Sequence, residues 1–389
     1  MRERTYLDWN ATAPLRPEAR AAMVAALDFP GNASSVHAEG RAARQLIEAA
    51  RAQVAALVGA EPKNVTFTSG ATEANMLALT PALEVGGRKA PRDRLFVSAI
   101  EHPSVRSGGR FPADQVEELP VTADGVLDLA ALERMIAGAE RALVSVMLAN
   151  NETGVIQPIR AIADIVHAAN GLLHVDAVQG AGRIACYTAA LGADLLSLSS
   201  HKIGGPQGAG VLVVRSDIHI TEPLIRGGGQ ERSLRAGTEN VAAITGFGAA
   251  AAAASSAREK DASRMAALRD RLEADVARAT PQAVIFGQGA PRLPNTSLVA
   301  VPGMKAETAV ISFDLNGVAV SSGAACSSGK VQASHVLAAM GVEPELARGA
   351  VRISLGWSTN ECDLDRFQQA WIRVLSSLRK TRANEGLAA

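Results

Sequence analysis

The feature that most constrains this chain is an alternation, from about residue 40 to residue 214, of short apolar runs with segments of helical period. The runs are NVTFT, RLFVSA, ALVSVMLA, GLLHVDA, DLLSLS and GAGVLVV. Consecutive apolar positions over so few residues suit strands buried on both faces. Between them, RAARQLIEAARAQVAALVGA sets Leu46, Ala50, Val54, Leu57 and Val58 on one helical face and closes on Gly59. Asp128 to Ala137 and Ile159 to Ala169 are further helical segments, the second preceded by Pro158. The alternation predicts a doubly wound α/β layout around a mainly parallel sheet.

Downstream the pattern changes. Val241 to Ala279 is alanine-rich with few turn signals, and predicts one long helix leaving the large domain. Beyond it AVIFG, NTSLVAV, GVAVSS and VRISLG supply strands interleaved with helices, which predicts a smaller α+β domain. A chain of 389 residues exceeds what one core usually organises. The expected division is a large domain over 16–258 and a small one built from 1–15 plus 259–389.

Basic and acidic side chains balance, 39 against 39, which argues against nucleic acid or an anionic membrane as a partner. No run approaches the roughly 18 apolar residues of a membrane span, and MRERTYLDWN lacks the apolar stretch of a signal peptide, so the expected location is the cytoplasm. Cys186, Cys326 and Cys362 lie far apart, without the spacing of a disulfide framework or a zinc site. Cys186 and Cys362 read as structural. Cys326, within SSGAACSSGK, is a single thiol in a run of small and polar residues, where reactivity decides its importance more than packing does.

Chemistry concentrates at the ends of predicted strands, where open α/β sheets place ligands. In HVDAVQGAGR, Asp176 and Gln179 follow one strand; in SLSSHKIGGPQGAG, Ser199, His201 and Lys202 follow another. A lysine able to form a Schiff base, with an acidic partner for a pyridinium nitrogen, is what pyridoxal phosphate requires. FTSGATEAN places Gly70, Ala71 and Thr72 between a strand and a helix, where backbone donors and a hydroxyl could cradle a phosphate. His102 in AIEHPSV could cover the cofactor ring, and Thr238 in RGGGQERSLRAGTEN offers another hydroxyl to an anion.

Taken in order, YLDWNATAP, GNASSVHAEGR, FTSGATEAN, EHPSV, NNETGVIQP, HVDAVQ, SSHKIGGPQG, GGGQERSLRAGTEN, SSGAACSSG and VRISLG resemble the NifS-like class of cysteine desulfurases along nearly the whole length. The resemblance implies the aspartate-aminotransferase-like fold of pyridoxal-phosphate enzymes (fold type I), its large domain carrying a mainly parallel seven-stranded sheet. It implies that Lys202 binds the cofactor and moves the substrate Cα proton, that Asp176 pairs with the ring nitrogen, that Gln179 meets the ring hydroxyl, and that His102 stacks on the ring and assists proton transfer. Phosphate contacts carry over to the Ala71 backbone, Thr72, Ser199 and His201. Thr238 would reach the phosphate of a neighbouring subunit, which implies a homodimer. Asn151 and Arg352 would bind the substrate carboxylate, a role that suits the planar guanidinium.

The activity so implied converts L-cysteine to L-alanine, the sulfur passing to Cys326 as a persulfide for an iron–sulfur scaffold or another sulfur acceptor. No resident metal is implied; a transient iron–sulfur cluster contact at Cys326 is the one metal contact the resemblance leaves open. Trp9 stands where the family commonly has a small or polar residue, which leaves the contributions of Asn10 and Thr12 open. Selenocysteine lyase or aminotransferase activity on the same cofactor frame is the alternative, and an inactive cofactor-binding scaffold is a further one. No GxGxxG follows the first strand, which counts against a nicotinamide enzyme.

Overall fold

The computed structural model describes residues 4–28, 30–139, 141–323 and 334–387. Its centre is a seven-stranded sheet in the order Val65–Thr68, Gly210–Val214, Leu195–Ser199, Leu172–Asp176, Ala142–Met147, Arg94–Ser98 and Val116–Leu119. Gly210–Val214 runs antiparallel to both its neighbours, and every other pairing is parallel. This is the pyridoxal-phosphate fold type I expected from the resemblance. Six of these strands follow the predicted runs. The seventh, Val116–Leu119, escapes prediction because VEEL is too polar to read as a buried strand. It occupies the sheet edge, where one side of the backbone needs no partner strand.

Helices Ala38–Leu57 and Val241–Ala279 cover the sheet. In the first, Ala50, Val54, Leu57 and Val58 are buried as expected, Ala43 and Ile47 join them, and only Leu46 of the expected face is half-buried. The same face also buries Arg51, which is anchored by an internal carboxylate, Glu231.

The long helix spans two apolar cores. Its first half contributes Ile244, Phe247, Ala250, Ala251 and Ala254 to a core shared with Val54, Phe67 and Val211. Its second half contributes Leu268, Leu272 and Val276 to another, shared with Leu7, Phe313, Phe367 and Trp371. A four-stranded antiparallel sheet, Val284–Ile285, Thr296–Ala300, Val351–Ser354 and Ser321–Ser322, lies with the second core. Thr5–Tyr6 pairs with Val318–Ala319, which ties the N-terminal segment to this part of the chain.

Of the two cysteines expected to be structural, Cys186 is buried, and burial pushes its thiol up to about 12. Cys362 is exposed in the first turn of the last helix, which has room there because its apolar face begins at Leu364. Cys326 lies outside the described residues. No described helix is long and apolar enough to cross a membrane.

Candidate active site

The C-terminal ends of the parallel strands and the N-terminal segment enclose a cavity of about 450 Å³. Ala71, Thr72, His102, Asn151, Asp176, Gln179, Ser199, His201, Lys202 and Arg352 all line it. Thr238 is exposed and is not among its lining residues. No group of three or more His, Cys, Asp or Glu suited to a metal ion occurs among the described residues.

One wall is the N-terminus of helix Ala71–Ala78. Its cap residue, Gly70, supplies no side-chain acceptor, so the first amides of the helix remain available to an anion. Gly210 lies so close that a Cβ there would stand 2.5 Å from the Gly70 carbonyl carbon, and only glycine lets the strand start beside this turn. The turn is braced from outside: Ser69 N donates to Glu73 Oε2 at 2.8 Å, and Arg235 Nε donates to Glu73 Oε1 at 3.0 Å. Opposite, His201 Nδ1 meets Thr12 Oγ1 at 3.1 Å. Burial, then the cations of Lys202 and Arg183, push the His201 imidazole down to about 4.

The floor is a hydrogen-bonded relay. Asp176 ends strand Leu172–Asp176, its Oδ1 accepting from Val178 N at 3.0 Å and its Oδ2 from Asn75 Nδ2 at 2.9 Å. Asn75 Nδ2 also donates to Ser104 Oγ at 3.0 Å, and Ser104 Oγ lies 2.8 Å from His102 Nδ1. His102 caps the helical turn Pro103–Arg106 by accepting from Ser104 N, so Nδ1 is an acceptor and the ring hydrogen sits on Nε2. Burial lowers the His102 imidazole, against the upward pull of Asp176. Burial thus favours the neutral ring, whose free edge carries the Nε2 hydrogen.

Lys202 follows strand Leu195–Ser199 in a tight helical turn. Its Nζ donates to the carbonyls of Asn10 and Ala11 at 2.7 and 2.8 Å. Gln179 Nε2 reaches the same Asn10 carbonyl at 3.0 Å. Gly204, at φ +86°, closes the turn; a Cβ there would stand 2.3 Å from the Trp357 ring. Trp357 in turn packs edge-on against Trp9 with ring centroids 4.6 Å apart, under the Arg16 guanidinium. Trp9 thus packs behind the lysine turn, and its neighbours Asn10 and Ala11 present backbone to the cavity.

At the remaining end, Arg352 comes from strand Val351–Ser354. Its Nη2 donates to Asp8 Oδ1 at 2.8 Å and its Nη1 to the Asn151 carbonyl at 2.9 Å. Its Nε is buried without a hydrogen-bond partner among the described residues. Beside Asn151, Glu152 is buried and accepts from Ser334 Oγ at 2.6 Å. Burial raises its carboxyl to about 7, partly offset by Ser334 and Arg352.

Asn75, Ser104, Arg183 and the Asn10 and Ala11 carbonyls carry no role that the sequence alone assigns. Asn75 could have been found, since it lies three residues after Thr72 on the same helix and so on a neighbouring face. The carbonyls could not, because a backbone acceptor leaves no mark in residue identity.

The chain matches the aminotransferase class-V family model over residues 5–367. It is 42% identical over 384 residues to a cysteine desulfurase of Cereibacter sphaeroides, covering 97% of each chain. The structure of a NifS-like protein from Rickettsia africae superposes with a TM-score of 0.88 at 37% identity, covering 96% of this chain and all of that one. SspA in complex with cysteine superposes with a TM-score of 0.76 at 29% identity, covering 90% and 99% respectively. With strand order, cavity and family match in agreement over nearly the whole length, the chain belongs to the class-V aminotransferase family.

Proposed function

We propose that this protein is an L-cysteine desulfurase in which Lys202, Asp176 and Arg352 act within the one cavity they share. That shared cavity, in a chain so close to proteins named cysteine desulfurase, is the observation that carries the proposal. The cofactor is pyridoxal 5'-phosphate, and the residues present fit it. The uncapped helix start at Ala71 and Thr72, with Ser199 and His201 opposite, suits a phosphate dianion. The Asp176 carboxylate suits a protonated ring nitrogen, and the Lys202 amine suits a Schiff base.

When bound, the cofactor supplies an electron sink for the charge left at the substrate Cα. Both Lys202 and His102 line the cavity: Lys202 moves the proton at that carbon, and His102 turns its Nε2–H edge outward from its own cap. Arg352, which lines the cavity, binds the substrate carboxylate with its planar guanidinium, and Asn151 flanks it. Gln179 donates to the ring oxygen. The Cys326 thiolate takes the substrate sulfur: an S–S bond forms, the substrate C–S bond breaks, and the electron pair stays with the substrate carbon, which is protonated to give L-alanine. The balance is L-cysteine plus thiol to L-alanine plus persulfide.

The proposal extends to a homodimer in which Thr238, exposed on its own subunit, reaches the neighbouring phosphate, and to delivery of the persulfide to an iron–sulfur scaffold or another acceptor protein. The balanced charge and the lack of a long apolar helix among the described residues support a cytoplasmic location. The two apolar cores support a division into 16–258 and 1–15 plus 259–389, with helix Val241–Ala279 crossing the boundary.

A single turnover with L-cysteine tests the reaction. The peptide containing Cys326 gains one sulfur while an equal amount of alanine is released, and Cys326→Ala abolishes both. Alanine release at full rate from Cys326→Ala refutes the persulfide step. Release of pyruvate or a keto acid instead of alanine points to another reaction on the same frame.

A further inference from the structure

Arg183 is buried, yet none of its hydrogen-bond acceptors among the described residues is a carboxylate. Its Nη1 donates to the Gln179 carbonyl at 2.7 Å and to Gln179 Oε1 at 2.5 Å, while Nη2 lies 3.5 Å from the Trp9 and Lys202 carbonyls. An enclosed guanidinium without an anion is costly to keep, and burial, helped by Arg352, pulls it down to about 10. Its geometry shows what it does. A carboxamide has a donor end and an acceptor end, and rotation about the last torsion exchanges them. Arg183 can only donate, so it holds the Oε1 end of Gln179. The Nε2 end then reaches the Asn10 carbonyl, which also takes Lys202 Nζ at 2.7 Å. The donor end of the amide is thereby on the lysine's side of the cavity.

We propose that Arg183 is a positioning residue that locks the Gln179 carboxamide with its N–H₂ end towards Lys202, so that Gln179 can only donate to the anionic ring oxygen of the cofactor. The proposal rests on pyridoxal phosphate occupying this cavity. Without Arg183 only the Asn10 carbonyl, which is shared with Lys202 Nζ, still holds the amide, so it flips more readily and presents Oε1, an acceptor set against an oxygen anion. A lysine at 183 keeps the cation but loses the planar fork that spans the carbonyl and Oε1 of one residue.

The test is a double-mutant cycle of Arg183→Met and Gln179→Leu, read by the dissociation constant for pyridoxal phosphate added to apoprotein and by the absorption spectrum of the bound cofactor. Arg183→Met is expected to weaken binding about 10-fold when Gln179 is present, the loss of one charge-polarised hydrogen bond, and less than about 2-fold in the Gln179→Leu background. Its spectrum should match that of Gln179→Leu. Equal losses in both backgrounds, or a wild-type spectrum in Arg183→Met, would overturn the proposal, since a purely structural arginine acts the same with or without Gln179. Should Arg183→Met fail to fold, Arg183→Lys takes its place in the cycle, and the same two results would overturn the proposal. Failure of the underlying reading is distinguishable: wild-type protein would then bind no cofactor, and Lys202→Ala would leave the spectrum unchanged.

Discussion

The Lys202 ammonium is held by the main-chain carbonyl of Asn10, 192 residues earlier in the chain, at 2.7 Å. That carbonyl is itself fixed through the Asn10 side chain, which donates to Thr296 Oγ1 at 2.9 Å and accepts from Asn295 Nδ2 at 3.2 Å. The lysine at the end of the large sheet is thus oriented by the start of the chain and by a strand of the second sheet.

Asn10→Ala should therefore act on Lys202 at a distance. Losing these buried bonds costs about 1–3 kcal/mol of stability, and the cofactor-to-protein ratio of the purified variant should fall below that of wild type. Thermal melts and cofactor absorbance check both. A variant that melts lower but loads fully with cofactor would separate the two effects and deny the orienting role.

Asn75 joins Asp176 to Ser104, and through it to His102. Asn75→Ala removes both donations and should cost about 1–3 kcal/mol. Asn75→Asp should retain cofactor worse than Asn75→Ala, because it sets a second carboxylate against Asp176 and disfavours ionisation of the pair. Equal cofactor retention by the two variants would show that Asp176 does not depend on this neighbour.

Glu231, Arg232 and Ser233 form three consecutive non-glycine residues in the left-handed region, at φ 45°, 57° and 66°. Such backbone persists only where its surroundings hold it. Glu231 is held by Arg51 at 2.7 and 2.8 Å and by Phe67 N at 2.9 Å, all buried. Glu231→Gln leaves Arg51 only the half-exposed carboxylate of Glu48, at 3.1 Å, as a charge partner and should destabilise by up to about 3–5 kcal/mol in urea unfolding, with Arg51→Met in the same chain recovering part of the loss. The segment carrying Thr238 follows directly, so Glu231→Gln should also weaken the proposed dimer, read by sedimentation.

Two buried groups should tilt the pH dependence of stability in opposite directions. His174, enclosed between Ser145 Oγ and Ser197 Oγ at 2.8 and 2.9 Å, is pushed by burial to about 4 from 6.5. The unfolded chain then binds more protons between those values, so this contribution is present above pH 6.5 and lost as pH falls through 4. Glu152, raised by burial from 4.5 to about 7, contributes below pH 4.5 and loses that contribution as pH rises through 7. Each slope is limited to about 1.4 kcal/mol per pH unit. In melts from pH 4 to 8, His174→Gln should flatten the acid limb, and Glu152→Gln should flatten the loss towards pH 8. An acid limb unchanged by His174→Gln would assign it to other groups, His201 among them.

Much of this protein was legible in one dimension. Buried strands such as ALVSVMLA and DLLSLS announce themselves because a strand covered on both faces admits little but apolar residues. The polar residues that follow them, Asp176, Ser199, His201 and Lys202, stood out against that background, and the resemblance assigned each a partner. Val116–Leu119 did not show, because an edge position tolerates the charges that mask a strand.

Residue identity determined which chemistry the cavity could host: an amine, a carboxylate, an imidazole and a guanidinium, each at the end of its own segment. Tertiary structure decided what each can do. Lys202 is oriented by two carbonyls, which have no side-chain signature, and the Gln179 amide is directed by an arginine that local sequence would leave on the surface. Burial, a property of the whole fold, shifts His102 towards its neutral form. Such effects arise from groups brought within about 3 Å across hundreds of residues, and only the folded chain creates those distances.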